Sequence, residues 1–226
     1  RNRSRSLLTG FGIFWGLFML LFLLGGSQGM EKLLKGILSG FATNTTVIGA
    51  ESTTKPYMGL GEGRAWDLEN KDVDRLRMMV PELDVVTPSM AAWSQEAVFG
   101  NNSFSCNVKG VYPEYSKIEE PQIKYGRYIN DTDCRKERKV CVIGGRVYNE
   151  LFPDGGDPCG SFIKVGSLFY QVIGLDMSAG NISINGSVRN SVIIPMSLAQ
   201  KVYRMGNRVD LIALTGKPGV NMSALE

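Results

Sequence analysis

The stretch VCVIGGRVYNELFPDGGDPCGSFIKVGSLFYQVIGL, residues 140–175, carries more information about the fold than any other part of the chain. VCVIG is a short run of branched apolar residues, the composition of a buried strand. Gly144 and Gly145 punctuate it, and RVYNELF follows as a short helix. Pro153-Asp154-Gly155 is a turn signal, and SFIKVGSLFYQVIGL reads as a hairpin turning at Gly166-Ser167. Strand, helix and hairpin in close succession predict a mixed α+β fold.

The same texture continues on both sides. Downstream, SVIIP, SLAQKVYRM and VDLIALTG read as strand, helix and strand, and VNMSALE as the beginning of a helix cut short. Upstream, EEPQIKYGRYINDTD is polar and rich in turn residues. NTTVIGAE is β-branched and reads as a first strand, while STTKPYMGLGEGR is a long surface loop. ENKDVDRLRMM predicts a short helix capped by Asn70, with Asp72 and Asp74 at its positive end and Pro81 beyond it. Its inward side is Val73, Leu76 and Met79 or Val80. LDVVTPSMAAWSQEAV and SFSCNVKGV are strands joined across Gly100-Asn101-Asn102, with Phe104, Cys106 and Val108 alternating on one side.

The N-terminal end differs from all this. Arg1, Arg3 and Arg5 precede an uncharged run, Leu7 to Gly26. A helix of this length rises about 30 Å, the thickness of a bilayer's hydrocarbon core. A secretory signal has a shorter apolar region and begins at the true N-terminus, and a buried helix would not be apolar on every face. A membrane-spanning helix is therefore expected, in a chain that starts inside a longer protein. Arg1, Arg3 and Arg5 mark the cytoplasmic side, which puts the remainder outside the cytoplasm. The chain has 25 basic and 22 acidic residues; without those three arginines the balance is 22 against 22. The basic excess is thus a topology signal, and no clustered charge suggests nucleic acid as a partner. Beyond Gly26, the residues Met30, Leu33, Leu34, Ile37, Leu38 and Phe41 recur on one helical face. They predict a stalk over 27–42 continuing the membrane helix for ~24 Å. The competing reading is an amphipathic helix flat on the membrane, bent at Gly25, Gly26 or Gly29.

Few residues offer chemistry. Histidine is absent, which excludes a Ser-His or Cys-His pair and His-ligated metal within this chain. GGSQG (25–29) has the spacing of a nucleophile elbow but neither the preceding strand nor a base. VIGGR (142–146) resembles a phosphate turn only loosely, without G-x-G-x-x-G; a tight strand-to-helix turn is expected instead. Asp154 and Asp157 read as a solvated turn, and Glu119-Glu120 and Asp131/Asp133 as surface charge. Cys106, Cys134, Cys141 and Cys159 all fall on the exported side, where three full pairings are possible. Buried thiols are an equal alternative for Cys106 and Cys141. Sequons at Asn44, Asn101, Asn130, Asn181, Asn185 and Asn221 also fit a eukaryotic type II membrane protein.

Taken in order, LLTGFGIFWG, DVDRLR, VPELDVVTP, VKGVYPEY, YGRYINDTD, the 140–175 stretch and VIIPMSLAQKVY resemble the MacB-like (FtsX-like) permeases of bacterial ABC transporters. The likeness covers almost the whole chain, and specifically their first membrane helix and periplasmic core domain. It implies an α/β porter-like subdomain over 43–115 and 191–226, with an inserted β-rich subdomain at 116–190, behind the 1–26 flank and span. It implies a bacterial inner-membrane location, a permease homodimer or heterodimer, lipid contact and an ABC ATPase, fused or separate, that carries ATP and Mg. It also implies three further membrane helices and, in some relatives, a periplasmic adaptor. Such relatives serve antibiotic and toxin efflux, lipoprotein extraction or control of cell-wall hydrolases. No catalytic, cofactor or metal residue is expected here. A membrane-anchored extracytoplasmic ligand sensor shares the layout and is the alternative; a membrane-anchored enzyme is disfavoured by the missing histidine.

Overall fold

Residues 3–38, 42, 44–178, 183–217 and 219–220 are described by the computed structural model, which separates into two units, Arg1–Ser39 and Gly40–Glu226. The first unit is a helix, α1 (Arg3–Leu38), unbroken through Gly25, Gly26 and Gly29. Within it Leu7–Gly26 has a mean hydropathy of 2.3 and no buried residue. Leu, Phe, Met and Trp side chains point outward on all sides, as in a helix whose solvent is lipid. Phe11, Trp15, Phe18 and Phe22 stack along one side at centroid spacings of 6.0, 5.7 and 6.3 Å, which follows from their i, i+3/i+4 spacing.

The second unit, the cap, is organised by a sheet. Its strands are β1 (Thr45–Gly49), β3 (Leu83–Phe99), β4 (Asn102–Val111), β5 (Ile123–Gly126), β6 (Val140–Gly144), β7 (Phe162–Val165), β8 (Leu168–Asp176), β9 (Ser191–Pro195) and β11 (Leu211–Gly216). Their order is β1-β11-β3-β4-β9-β6-β8-β5, and β7 pairs with both β3 and β8. The path β3-β4-β9-β6-β8-β7 therefore returns to β3 and closes six strands into a ring. A small pair, β2 (Leu68–Glu69) with β10 (Arg208–Val209), stands apart. β3 can serve both the ring and the open edge because its register shifts between Ala92 and Gln95, where Ser94 takes a positive φ of 54°. Before that bulge β3 pairs with β11, and after it with β7; the extra residue bends the strand toward its new neighbour. At the open edge β1 and β11 are antiparallel, and Asn44 and Gly216 are joined by a main-chain bond of 3.3 Å and by Asn44 Nδ2 to the Gly216 carbonyl at 3.1 Å.

Helices α2 (Asn70–Met79), α4 (Gly145–Leu151) and α5 (Met196–Val202) contribute Val73, Val147, Leu151, Met196 and Ala199 to one core, with Met90, Val108, Ile143 and Ile194 of the sheet. A smaller core forms from Val85, Val111, Val142 and Ile193 with Tyr115, Ile118, Ile129 and Ile184. Two glycines permit the close packing. A Cβ on Gly110 would lie 2.6 Å from the Ala199 Cβ and 2.7 Å from Met90 Cγ. One on Gly144 would lie 2.0 Å from the Val188 carbonyl oxygen, so the VIGGR turn is shaped by the chain lying across it.

Several expectations need correction. Glu69, not Asn70, holds the cap position of α2: its amide donates to Asp72 Oδ2 at 3.0 Å, while Asn70 opens the helix and exchanges side-chain bonds with Gln200. Met79 is 72% exposed, and Val80 completes the inward side with Val73 and Leu76. The polar 119–133 region contains β5 and the start of α3 (Asp131–Arg135). Residues 116–190 supply β5, β6, β7 and β8 to the sheet, where β7 pairs with β3 and β6 with β9.

The packing at Gly110 makes a simple expectation. Gly110→Val should destabilise the cap by about 1–3 kcal/mol through overpacking, whereas Gly61→Ala, with open space around it, should leave stability nearly unchanged. Chemical unfolding followed by intrinsic fluorescence distinguishes the two.

Candidate functional site

Of the residues expected on the stalk, Met30, Leu33, Leu34, Ile37 and Leu38 lie on α1. Arg3 and Arg5 fall in its first turns, and Arg1 lies outside the described residues. Met30 is 60% exposed. Leu33, Leu34, Ile37 and Leu38 are in the helix, on one face by their spacing, with side chains outside the described set; Phe41 lies outside it altogether. The helical backbone thus extends twelve residues past Gly26 to Leu38 without a break. In the cap, Ala42 donates its amide to the Ile118 carbonyl at 2.9 Å.

Ile118 leads into a charge cluster that the sequence did not announce. Pro113–Lys117 is a 3-10 turn, with proline in its first turn. The turn sends Tyr115, Ile118 and Glu119 inward and leaves Glu114 and Glu120 outside. Glu119, read above as surface, is only 7% exposed and faces Lys109 of β4, which is 1% exposed. Lys109 Nζ lies 2.6 Å from Glu119 Oε2. Glu119 Oε1 accepts from the Tyr115 hydroxyl at 3.0 Å and from the Ile184 amide at 2.5 Å. The ammonium also lies 5.0 Å from the centre of the Tyr115 ring. Burial pulls the Lys109 pKa down, and the adjacent Glu119 carboxylate opposes that pull. Burial and the same carboxylate push the Tyr115 phenol far up, so it remains a donor. The carboxylate receives three donors from three separate segments, an arrangement that holds parts together and leaves no oxygen facing a substrate.

A second buried carboxylate organises α3. Asp133 is fully buried and accepts from Arg127 Nη1 at 2.6 Å and Nη2 at 3.1 Å, and from the Asn130 amide at 3.1 Å. Arg138 Nη1 is 3.6 Å away. Asn130 in turn accepts from the Asp133 amide, a reciprocal cap. Asp157 accepts from the Cys159 amide in an exposed turn. All four cysteines are free thiols, Cys106, Cys134 and Cys141 buried and Cys159 half-buried. Burial pushes the Cys106 thiol up to about 12 and lifts Cys141 further. On the sheet's other side, Arg77 donates to the Val86 carbonyl at 2.7 Å and to Glu114 at 2.8 Å. It walls a cleft of about 320 Å³ floored by Val73, Pro88 and Tyr112.

The chain matches the family model of the MacB-like periplasmic core domain over residues 6–226. Among curated proteins it is 28% identical to the macrolide export ATP-binding/permease protein MacB of Shewanella sp. (strain W3-18-1), over 77% of this chain and 26% of that protein. It is 25% identical to the protein of the same name from Mannheimia succiniciproducens, over 100% of this chain and 34% of the relative. It is 27% identical to the probable syringafactin export ATP-binding/permease protein SyfD of Pseudomonas syringae pv. tomato, over 100% and 33%. The chain therefore spans between 26% and 34% of the length of these relatives. The fold is similar to the crystal structure of the periplasmic region of MacB from Actinobacillus actinomycetemcomitans. That match has a TM-score of 0.65 at 21% identity and covers 83% of this chain and 81% of the other. It is also similar to the extracellular domain of the transporter YknZ from Gram-positive bacteria, with a TM-score of 0.62 at 14% identity, covering 79% and 88%.

Asp133 gives the site a pH signature. Burial pushes its carboxyl up, but the Arg127 bonds, the Asn130 amide and Arg138 together hold it below the usual carboxylate range. A depressed folded pKa adds stability above the unfolded value near 3.9, and that contribution is lost as pH falls through the folded pKa. The thermal unfolding midpoint of the wild type should decline below about pH 4. Asp133→Asn should begin about 1–3 kcal/mol lower at pH 7 and show a shallower acid slope.

Proposed function

We propose, from the premise that this chain belongs to the family of MacB-like periplasmic core domains, that it is the force-relaying part of an ATP-driven export permease. Residues 7–26 cross the inner membrane, Arg1, Arg3 and Arg5 remain on the cytoplasmic side, and the cap stands in the periplasm. Two permease copies assemble as a dimer with ATPase domains, fused or separate, which hold ATP and Mg. Closure of those ATPases shifts the membrane helices, and α1 carries the displacement outward. The names of the relatives, export ATP-binding/permease proteins, support this reading.

The observation that carries it is the continuity of α1 from the apolar span to Leu38. A hydrogen-bonded helix moves as a rod, and an apolar stripe lets it pack on a neighbouring helix while it does so. Met30, Leu33, Leu34, Ile37, Leu38 and Phe41 are the stripe. They bind no reactant; they keep the rod engaged. Cargo is moved by the changing shape of the cap and its partners, a periplasmic adaptor among them.

Leu34→Asp combined with Leu38→Asp should remove about 1.5–3 kcal/mol of packing per position and uncouple the machine. ATP hydrolysis by the assembled transporter should persist while cargo export in proteoliposomes falls toward background. Unchanged export would refute the stalk role. Protease treatment of intact spheroplasts should cleave the exposed 52–64 loop; protection of that loop would place the cap on the wrong side.

A further inference from the structure

Residues 183–190 lie across one face of the sheet without joining it. Among the described residues, their main-chain hydrogen bonds stay within the short turn over 187–191, and none reaches a neighbouring strand. Side chains fasten them instead. Glu119 accepts from the Ile184 amide at 2.5 Å, and Asn185 Nδ2 donates to Ser89 Oγ at 2.9 Å. Asn185 and Gly186 both take positive φ, 59° and 94°. Gly186 sits so near the Trp93 ring that a Cβ there would be 2.9 Å from it.

The strand register places Thr87, Ser89, Lys109 and Ser191 on the face this segment crosses, among Val85, Val111 and Ile193 of the smaller core, against which Ile184 of the segment packs. All four are buried, and Thr87 Oγ1 has no hydrogen-bond partner. Polar groups interrupt this core, whereas the helix-covered face with Met90, Val108 and Ile194 has none among its buried cluster. Hydroxyls and an ammonium beneath a segment without ladder bonds suit a face that is wetted part of the time.

We infer that residues 183–190 form a strap that lifts as a unit, with Glu119 as its fastener, uncovering the polar face around Ser89 and Lys109. The fastener sits next to Ile118, whose carbonyl accepts from Ala42, four residues beyond the end of α1. A displacement of Ala42 reaches the strap through one peptide bond and one side chain. The strap itself depends on the cap alone; only this trigger rests on the relay reading.

Hydrogen exchange of the full-length transporter in nanodiscs, read by mass spectrometry, tests the strap. Replacing one partner alone strands a buried charge, so the informative variant is Lys109→Met with Glu119→Met, which removes the fastener and keeps the volume. Its Tm should fall by only a few degrees, from the lost acceptor of the Tyr115 hydroxyl and Ile184 amide, with the cap still folding cooperatively. Peptides covering 183–190 should exchange at least tenfold faster, and those covering β6 and β9 less than twofold faster. An introduced thiol at Ser89→Cys should react with a maleimide correspondingly faster in the same background. Strap exchange unchanged in the double variant, or rising in step with β6 and β9, would overturn the inference. Nucleotide-dependent labelling of Ser89→Cys tests the trigger separately: its absence alongside a fast-exchanging strap removes the relay to Ala42 and leaves the strap standing.

Discussion

β3 is the member on which the cap depends. Its seventeen residues pair with β4 along one side and with β11 and then β7 along the other, so both the open edge and the closed ring are fixed to one strand. The change of neighbour requires the bulge around Trp93 and Ser94, since a straight strand cannot follow two differently directed partners. α2 and α5 then pack on the face set by Met90, and the smaller core forms behind it. Removing the bend would leave β7 without a partner on one side and open the ring.

The two cores are built on different economies. The helix-covered face is apolar, and its stability follows from buried area and from glycines that let backbones approach. The opposite face contains an ion pair, a tyrosine hydroxyl and one unshared hydroxyl, Thr87 Oγ1. A buried pair of opposite charges gains little over an apolar substitute, because desolvation consumes most of the attraction. What it supplies is position: Glu119 has one arrangement that satisfies Lys109, Tyr115 and Ile184 together. Asp133 does the same for the loop before α3, at a site its two arginines reach from partly exposed positions.

Most of the regular elements were legible from periodicity. β6, α4, the β7–β8 hairpin, β9, α5 and β11 were all indicated by branched apolar runs separated by glycine and proline, and the apolar helix by its length. The charge cluster was not. Lys109 occupies the strand side opposite Cys106 and Val108, which in an isolated hairpin would face water, and nothing nearby in sequence says that a glutamate ten residues later will fold back onto it. Glu119 is adjacent to the exposed Glu120, and only the tight turn at 113–117 separates their fates. β5 was hidden for a related reason: a short edge strand rich in polar residues is defined by its partner β8 and not by its own composition. The Glu69 cap was missed because glutamate is an uncommon cap, made effective by Asp72 reaching back.

The pairing of β1 with β11 has a mechanical side. Asn44 and Gly216 lie next to each other, so the chain comes into the cap and leaves β11 at the same corner of the sheet. Two antiparallel strands held by their adjacent ends yield like a zipper: a sideways tug opens their rungs one after another, each break needing little force. Loads along the strand axis meet all the rungs together. The edge is therefore soft to splaying and stiff to loads along its strands.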